Sequence, residues 1–328
     1  MKRRMTFERI RAPVPARAEA SVERPTRASV DRRTGASAIN AHFWKTHNRV
    51  PEYATRVLRP VEIVVIARYH QALSGRVLEA GCGAGRVLGY LAAVGREVHG
   101  IDISPAMVDY CRHTYPQANV RLGDLGALTE SVEGPFDAVV AADNVLDVFE
   151  DADRRRVLAE MRTVLTPDGI LIFSSHNLAY ADGELDATGP QPKTARRLLA
   201  KLAQASPAGL ARVAVRTPKR VRNRLRLVPL QHRADDHAIL NDVGGNYAVL
   251  HYYIGRDEQE RQLNEAGLRL VECLDVQGRL VPSGEVGYGP WLHYIARPIT
   301  LTPSSSHPER TTRRRVDFPT FRIGVPIR

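Results

Sequence analysis

The first chemistry that the sequence suggests lies in a glycine-rich loop that follows a short apolar run. The stretch from Arg76 to Ser104 reads RVLEAGCGAGRVLGYLAAVGREVHGIDIS and has Gly81, Gly83 and Gly85 in its loop. Glycine has no Cβ, so such a loop lets the backbone approach a bound ligand closely. Because a predicted strand precedes the loop and a predicted helix follows it, the stretch predicts a nucleotide-type cofactor.

The loop does not fit the two common phosphate-binding patterns. The dinucleotide fingerprint G-x-G-x-x-G needs a third glycine where this chain has Arg86, and a nicotinamide oxidoreductase is disfavoured for that reason. The P-loop pattern needs Lys and a hydroxyl residue after its last glycine, and neither follows Gly85. The loop therefore favours a cofactor that is not bound through phosphate.

Three carboxylates follow successive predicted strands. Glu79 precedes the loop and suits a cationic ammonium group of a ligand. Asp102 ends the second strand and can accept hydrogen bonds from both hydroxyls of a ribose. Asp124 follows the third strand and can accept a hydrogen bond from the amino group of an adenine. Ligands of open α/β sheets bind at the carboxyl ends of the strands. These groups together predict S-adenosylmethionine, which has an amino-acid end, a ribose and an adenine.

Alternating strand and helix patterns position these residues. Apolar runs at GRVLEAGCG, EVHGIDIS, NVRLGDL, FDAVVAADNVL and ILIFSSHNL alternate with amphipathic helical patterns, which indicates βαβ units and a parallel sheet. We predict a disordered basic tail at 1–38, a helical cap at 39–75, a cofactor-binding core at 76–179, a basic insertion forming a substrate lid at 180–250, the C-terminal part of the fold at 251–300 and a second disordered basic tail at 301–328.

The series VLEAGCGAG, VHGIDIS, NVRLGDL, FDAVVAADNVLDVF and LTPDGILIFSSHN resembles the class I S-adenosylmethionine-dependent methyltransferase family across about residues 76–178. The resemblance implies an α/β, doubly wound, seven-stranded Rossmann-like sheet of five parallel strands plus a C-terminal antiparallel pair, with S-adenosylhomocysteine as the product. It also implies a methionine-binding loop of Glu79, Gly81, Cys82, Gly83 and Gly85, a ribose site at Asp102, adenine contacts from Ile103, Met107, Asp124 and Leu125, and a methyl-donating side lined by Asn144 and Val145.

Methyl transfer is an in-line displacement, so positioning of the two reactants is the main task of such an enzyme. An oxygen acceptor also benefits from a general base. The candidates are His176, Asp147 and His251, together with Asp143, and we favour His176 because SSHN directly follows a central strand. The alternative for His176 is a histidine that satisfies loop backbone groups.

The segment DNVL after the fourth strand differs from the Asn/Asp-Pro-Pro-aromatic motif of enzymes that methylate nucleic-acid bases. The sequence therefore predicts a small-molecule or lipid- or glycan-linked acceptor, anionic in character and methylated on oxygen or nitrogen. Nucleic acid is disfavoured as a partner, although an RNA-binding methyltransferase and a non-catalytic scaffold stay open as alternatives. The sequence does not predict the oligomeric state.

The net charge of +11 is concentrated in the two tails and in residues 191–233. That basic segment has three open interpretations: a solvated surface, a collar for an anionic acceptor, or an RNA contact, and its Leu/Val–Arg mixture also permits peripheral contact with an anionic membrane. Cys82, Cys111 and Cys273 lack metal-binding spacing, so we predict reduced thiols and no metal site. With no signal peptide and no apolar run of membrane-spanning length, the expected location is cytoplasmic.

Overall fold

The computed structural model describes residues 35–181, 218–242 and 244–300. The predicted tail residues 1–34 and 301–328 and most of the basic insertion, residues 182–217, lie outside these ranges. The strands of the described residues are β1 Arg76–Ala80, β2 Glu97–Asp102, β3 Asn119–Leu122, β4 Phe136–Ala141, β5 Leu165–Asn177, β6 His232–Arg233, β7 His237–Leu240, β8 His251–Ile254, β9 Leu268–Leu274 and β10 Trp291–Pro298.

The helices flank this sheet, and charged residues at the two ends of one of them favour the helix. In the helix after β4, Asp151 and Asp153 lie in the first turn and Arg162 lies in the last, which complements the helix dipole. The helices of the described residues are α1 Ala36–Thr46, α2 Val50–Tyr53, α3 Pro60–Arg68, α4 His70–Leu73, α5 Leu88–Val94, α6 Pro105–Thr114, α7 Leu128–Ser131, α8 Asp151–Thr163, α9 Leu178–Ala181, α10 at 218–227 and α11 Arg256–Glu265.

Seven of the strands confirm the predicted doubly wound sheet. Strands β3, β2, β1, β4 and β5 are parallel neighbours in that order. On the other side of β5, β10 pairs antiparallel with it and with β9. Strands β1 and β4 are buried along almost their whole length, as expected for parallel strands covered on both faces.

The described sheet has ten strands rather than the predicted seven, and the three additional strands are β6, β7 and β8. Strands β6 and β7 come from the predicted insertion, and β8 comes from the range predicted as the C-terminal part of the fold. β8 pairs with β5 at His176, while β10 pairs with the same residue from the other side. β4 stops pairing with β5 at Phe173. The added strands therefore extend the sheet on the side of β4, beyond the carboxyl end of that strand.

Apolar side chains cover both faces of the sheet. Helices α7, α8 and α11 contribute to the core on one face, and α3, α5 and α6 contribute to the core on the other. A smaller cluster joins Ala36 of α1 and Leu227 of α10 to Ile239, Tyr252 and Ile254 of the added strands. Helix α1 begins inside the range predicted as a disordered tail because its first residue belongs to this cluster.

Two buried contacts hold the N-terminal helices to the sheet. The side-chain amide of Asn40 donates to the carbonyls of Val148 (2.8 Å) and Leu250 (2.6 Å), and its oxygen accepts from the Leu250 N–H (3.0 Å). The buried guanidinium of Arg86, directly after the glycine loop, donates to Glu62 of α3. The N-terminal helices are thus attached to the rest of the fold at α1, through Asn40, and at α3, through Glu62. Among the described helices, none is long and apolar enough to cross a bilayer.

Candidate functional site

A cavity of about 1150 Å³ lies at the carboxyl ends of the parallel strands, beneath α1 and α2. Ligand pockets usually have volumes of about 300–1,000 Å³, so this cavity has room for a cofactor and a second small molecule. Most of the residues that the sequence singles out line it. They are Gly81, Gly83, Asp102, Ile103, Met107, Asp124, Leu125, Asp143, Asn144, Val145, His176 and His251.

The glycine loop presents bare backbone to the cavity. Gly81 and Gly83 have positive φ angles of 74° and 54°. A Cβ on Gly81 would lie 2.2 Å from a methyl group of Val145, whereas a Cβ on Gly83 would meet only the Tyr53 ring, at 3.9 Å. The Gly81 N–H donates to the Ile101 carbonyl at 2.8 Å, which ties the loop to the end of β2. Gly81 is required by packing, and Gly83 leaves open space for a ligand.

Asp102 lies at the end of β2, facing this loop. One carboxylate oxygen accepts from the Gly83 N–H and the other from the Ser104 N–H, each at 2.8 Å. Burial raises the pKa of Asp102 above its ordinary value, while these backbone donors and that of Ile103 act to lower it. Each oxygen can accept a further hydrogen bond, so the residue can receive two neighbouring hydroxyls from the cavity.

Asp124 has a more exposed position. Its side chain is 43% exposed, and one oxygen lies 3.9 Å from the Lys45 ammonium. The other oxygen accepts from the Gly126 N–H at 3.0 Å and caps the short turn that begins at Leu125. This local capping accounts for part of the role of Asp124 without a ligand.

Of the predicted site residues, all within the described ranges, four do not line the cavity: Glu79, Cys82, Gly85 and Asp147. Burial raises the pKa of Glu79 well above its ordinary value, although the nearby Arg86 and a hydrogen bond from the Leu88 N–H lower it. The structure thus places the Glu79 carboxyl beneath the loop at the start of α5. One oxygen of Glu79 is buried without a hydrogen-bond partner among the described residues, and its contact with a cofactor ammonium group stays a prediction.

Cys82 and Gly85 support the loop from below. The Cys82 thiol is buried and hydrogen-bonded to Cys111, whose own thiol donates to the Gly83 carbonyl at 3.2 Å. A Cβ on Gly85 would lie 2.3 Å from the ring of Tyr115. Glycine is therefore needed at position 85 for packing against that ring, and its contact with a cofactor stays a prediction.

On the opposite side of the cavity, His176 is held by Asp147. One oxygen of Asp147 accepts from the His176 backbone N–H and from its ring Nδ1, both at 2.6 Å. A carboxylate accepts only when the ring nitrogen carries a proton, so Nε2 is left as the basic nitrogen. Asn144 lies 3.4 Å from Nε2, and both residues line the cavity. Asp147 is therefore a positioning residue for His176.

Asp147 is fully buried and ionised. Its other oxygen accepts from the Arg154 guanidinium and the Ser175 hydroxyl, both at 2.6 Å. Burial acts to raise the pKa of Asp147, but Arg154, His176 and Ser175 together hold it below the ordinary value. Arg154 is itself fully buried and donates to Gln259 of α11 at 2.6 Å. The orientation of His176 thus depends on a network that crosses the core.

His251 lies next to His176, and their stacked rings have centroids 4.8 Å apart. Its Nδ1 is 2.9 Å from a carboxylate oxygen of Asp242, which also accepts from the Tyr253 hydroxyl at 2.7 Å. Burial acts to lower the pKa of His251, but the hydrogen bond to Asp242 raises it overall. Burial acts to raise the pKa of Asp242, but its bonds with His251 and Tyr253 bring it well below the ordinary value. The sequence did not identify Asp242 or Tyr253.

Two arginines near the N-terminal helices were also missed. Arg56 donates to Asp143 at 2.6 Å, and Arg59 donates to the other oxygen of the same carboxylate. Arg56 lies over the Tyr53 ring at 3.6 Å, and Arg59 lies over Trp291 at 3.9 Å. Both oxygens of Asp143, a candidate base in the sequence, are therefore paired with guanidinium groups. The available signal was the aromatic-rich segment HFWKTHNRVPEY just before these arginines. Their partners, Trp291 of β10 and Asp143 after β4, are distant in sequence, so local patterns did not indicate the contacts.

Comparisons with known proteins show which proteins the chain is similar to. A family model described as a methyltransferase domain matches residues 77–169. A probable S-adenosylmethionine-dependent methyltransferase from Mycolicibacterium smegmatis is 32% identical over 116 residues, which cover 35% of this chain and 44% of that protein. A ubiquinone biosynthesis O-methyltransferase from Xanthomonas axonopodis is 27% identical over 159 residues, 47% of this chain and 64% of that one.

A solved structure shows the same fold. The CcbJ methyltransferase from Streptomyces caelestis superposes with a TM-score of 0.50 at 19% identity, covering 80% of this chain and 99% of that one. The protein thus contains a class I S-adenosylmethionine-dependent methyltransferase domain, as the sequence predicts. S-Adenosylmethionine is the methyl donor of this class of enzymes. The chain spans 44% and 64% of the lengths of the two curated relatives described above.

Proposed function

We propose that the protein transfers a methyl group from S-adenosylmethionine to an oxygen or nitrogen of a small-molecule acceptor. The observation that carries this proposal is the shared cavity, which joins the glycine loop and Asp102 on one side to the oriented ring of His176 on the other. A transfer between two substrates requires one cavity that holds both of them, with polar groups on each side to position them.

The cofactor side fits S-adenosylmethionine on three observations. Gly83 leaves open backbone, Asp102 has accepting capacity for a ribose diol, and the side-chain oxygen of Asn144 is buried without a hydrogen-bond partner among the described residues. When bound, S-adenosylmethionine supplies a methyl group activated by its sulfonium. Val145 packs against Gly81 and also lines the cavity.

On the acceptor side, His176 is the group proposed to take the acceptor's proton. Its Nδ1–H is committed to Asp147, so Nε2 can accept a proton while the ionised Asp147 stabilises the resulting positive charge. The aromatic side chains of Trp44, Tyr53 and Trp291 form part of the wall, which favours an acceptor with a flat or apolar portion. An O-methyltransferase among the relatives supports oxygen as one acceptor atom.

The anionic, lipid-linked or glycan-linked character of the acceptor stays a proposal from the sequence. It depends on the basic segment 191–233, most of which lies outside the described residues. The described helix α10 exposes several arginines, and two arginines of this helix contact Asn246 and Tyr247 in the connection between β7 and β8. This placement supports a solvated surface for that part of the segment.

A transfer assay tests the proposal. Purified protein is incubated with isotopically methyl-labelled S-adenosylmethionine and a panel of hydroxylated aromatics and amines, and labelled products are detected by mass spectrometry. Replacement of His176 by Ala is expected to lower transfer to an oxygen acceptor by about 10²–10⁴-fold, the usual contribution of a general base, while cofactor binding persists. The exposed His113→Ala serves as the control. A folded wild type that binds no S-adenosylhomocysteine contradicts the proposal.

A further inference from the structure

We infer that His176, His251 and Asp242 bind a divalent transition-metal ion on the acceptor side of the cavity, and that the acceptor is a hydroxylated molecule whose oxygen coordinates this ion. The inference rests on the proposed function and sharpens it from oxygen or nitrogen to oxygen. It also gives His176 a different task in the metal-bound protein, as a ligand instead of a proton acceptor.

The geometry of the three side chains carries the inference. One ligand atom from each residue can be chosen so that all three lie within 4.8 Å of one another. His251 Nδ1 is 2.9 Å from an oxygen of Asp242, and His176 Nε2 is 4.0 Å from the same oxygen. Metal–nitrogen bonds of about 2.0–2.1 Å put neighbouring ligand atoms about 3 Å apart, so a shift of about 1–2 Å at His176 completes the set.

The surroundings of the cluster match the outer shell of a metal site. A metal-ligating histidine normally donates its other ring N–H to a carboxylate, which fixes the ring and raises the basicity of the ligating nitrogen. Asp147 does this for His176, from a fully buried position. The Tyr253 hydroxyl donates to Asp242 and orients that carboxylate. All three proposed ligands line the cavity, so an ion there can meet the acceptor.

The ligand types select the ion. Two imidazoles and one carboxylate are typical of catalytic zinc and of other first-row divalent ions, and three protein ligands leave coordination positions open for a substrate oxygen. Magnesium and calcium prefer oxygen ligands alone, so this set disfavours them. The cluster therefore predicts a Zn²⁺-type ion and not Mg²⁺.

An ion here changes how the acceptor is activated. A hydroxyl bound to a divalent ion loses its proton more readily, and that proton passes to a water molecule at the cavity mouth. A lone pair of the resulting alkoxide or phenoxide oxygen forms the new O–CH₃ bond as the S–CH₃ bond breaks, and its electron pair stays on sulfur. An amine acceptor, which needs no such deprotonation, gains little from the ion.

Cobalt binding tests the site without any acceptor. Co²⁺ is titrated into metal-free full-length protein, and both the heat and the visible absorption of the bound ion are recorded. We expect one bound Co²⁺ in the wild type and at least a tenfold weaker affinity in His251→Ala and in Asp242→Asn. The matched control is His237→Ala, because His237 also pairs with a carboxylate, Asp236 at 2.7 Å, but does not belong to the cluster. Equal Co²⁺ binding by the wild type and His251→Ala, or none by the wild type, overturns the inference.

Cofactor binding separates this inference from the proposed function. S-Adenosylhomocysteine affinity is measured on the same variants, and we expect it to be unchanged in both, which also shows that they are folded. If the wild type binds S-adenosylhomocysteine but no Co²⁺, the metal site is wrong and the proposed function stands. If transfer to an oxygen acceptor continues at full rate in excess EDTA, the metal site is again wrong, whereas loss in EDTA and recovery with Zn²⁺ supports it.

Discussion

The cofactor side of the cavity and its acceptor side differ in how far apart their residues lie along the chain. The cofactor side comes mainly from one continuous stretch, from Gly81 to Leu125, to which the turn after β4 adds Asn144, and most of its polar contacts are made by backbone N–H groups. The acceptor side combines α1, α2, the segment before α3, the turn after β4, the end of β5, β8 and β10. A substitution on the cofactor side therefore acts on one local segment, whereas the acceptor side depends on how distant segments pack together.

The two sides also differ in how they hold charge. Asp102 is fixed by neutral backbone donors, while Asp147 and Arg154 form a fully buried ion pair that positions His176. A buried charge that loses its partner is costly because it cannot be solvated. Side chains on the acceptor side are therefore expected to affect stability, and those on the cofactor side to affect mainly ligand binding.

The largest effect is expected from Asp147→Ala, which leaves the Arg154 guanidinium buried without its carboxylate. Breaking such a pair by removing one partner usually costs about 3–5 kcal/mol of folding free energy. Urea denaturation monitored by circular dichroism measures the change. The control is Glu258→Ala, which breaks an ion pair with the largely exposed Arg261 and should cost less than about 1 kcal/mol. Equal losses in the two variants would remove the contrast between buried and exposed charge.

The next effect is expected from Asp102→Ala on the cofactor side. Loss of two hydrogen bonds to a charged group, at about 1.5–3 kcal/mol each, should weaken S-adenosylhomocysteine binding by about 100-fold or more. Calorimetric titration gives the affinity, and the exposed Asp109→Ala of α6 is the control. Retained affinity in Asp102→Ala would show that the ribose is held elsewhere.

A smaller effect concerns pH and a histidine beneath the cap, next to the acceptor side. Burial, with help from Arg59 and Arg86, lowers the pKa of His293 to about 3. Below its ordinary pKa of 6.5 the unfolded chain gains a proton that the folded protein does not bind, so stability falls as the pH drops from 7 towards 3. Between pH 7 and pH 5 the loss should be about 2 kcal/mol.

The variant His293→Met has no titratable group at that position, so it should lose this part of the pH dependence. Urea denaturation of both proteins at pH 7 and pH 5 makes the comparison. If the two proteins lose the same stability between these values, the buried neutral histidine is not the cause.

The smallest effect is expected from Asp124→Ala. This half-exposed carboxylate already caps its own turn, so one ligand hydrogen bond worth about 0.5–1.5 kcal/mol is at stake. Affinity for S-adenosylhomocysteine should fall by about 3–10-fold, measured in the same titration. A loss as large as that of Asp102→Ala would mean that adenine recognition dominates on this side.

The contrast between the sides also explains what the sequence could predict. Gly81, Gly83 and Asp102 were identifiable because their chemistry follows from local spacing after two strands. Arg154 was missed because it stands in the charged run DADRRR, which is typical of a solvated helix face. Its spacing to Val157, Leu158 and Met161 nevertheless places it on the apolar stripe of α8, and that periodicity was the available signal.

The added strands were harder to predict. Strands β6 and β7 are short and follow a long basic segment, so neither alternation nor turn residues indicated their pairing with β8. Asp242 lies in the connection after β7, and only this pairing brings it to His251. Contacts between segments distant in sequence leave no mark on local patterns, which is why the acceptor side was only partly predicted.

The division of the cavity into two independent sides is tested most directly by titrating S-adenosylhomocysteine into the wild type and into His176→Ala side by side. Both proteins should bind with the same affinity, within about twofold, because among the described residues His176 contacts neither the glycine loop nor Asp102 and touches the cofactor side only at Asn144, 3.4 Å away. Loss of binding in a folded His176→Ala would contradict the division, and no binding by the folded wild type would contradict the assignment of the cavity to a methyltransferase.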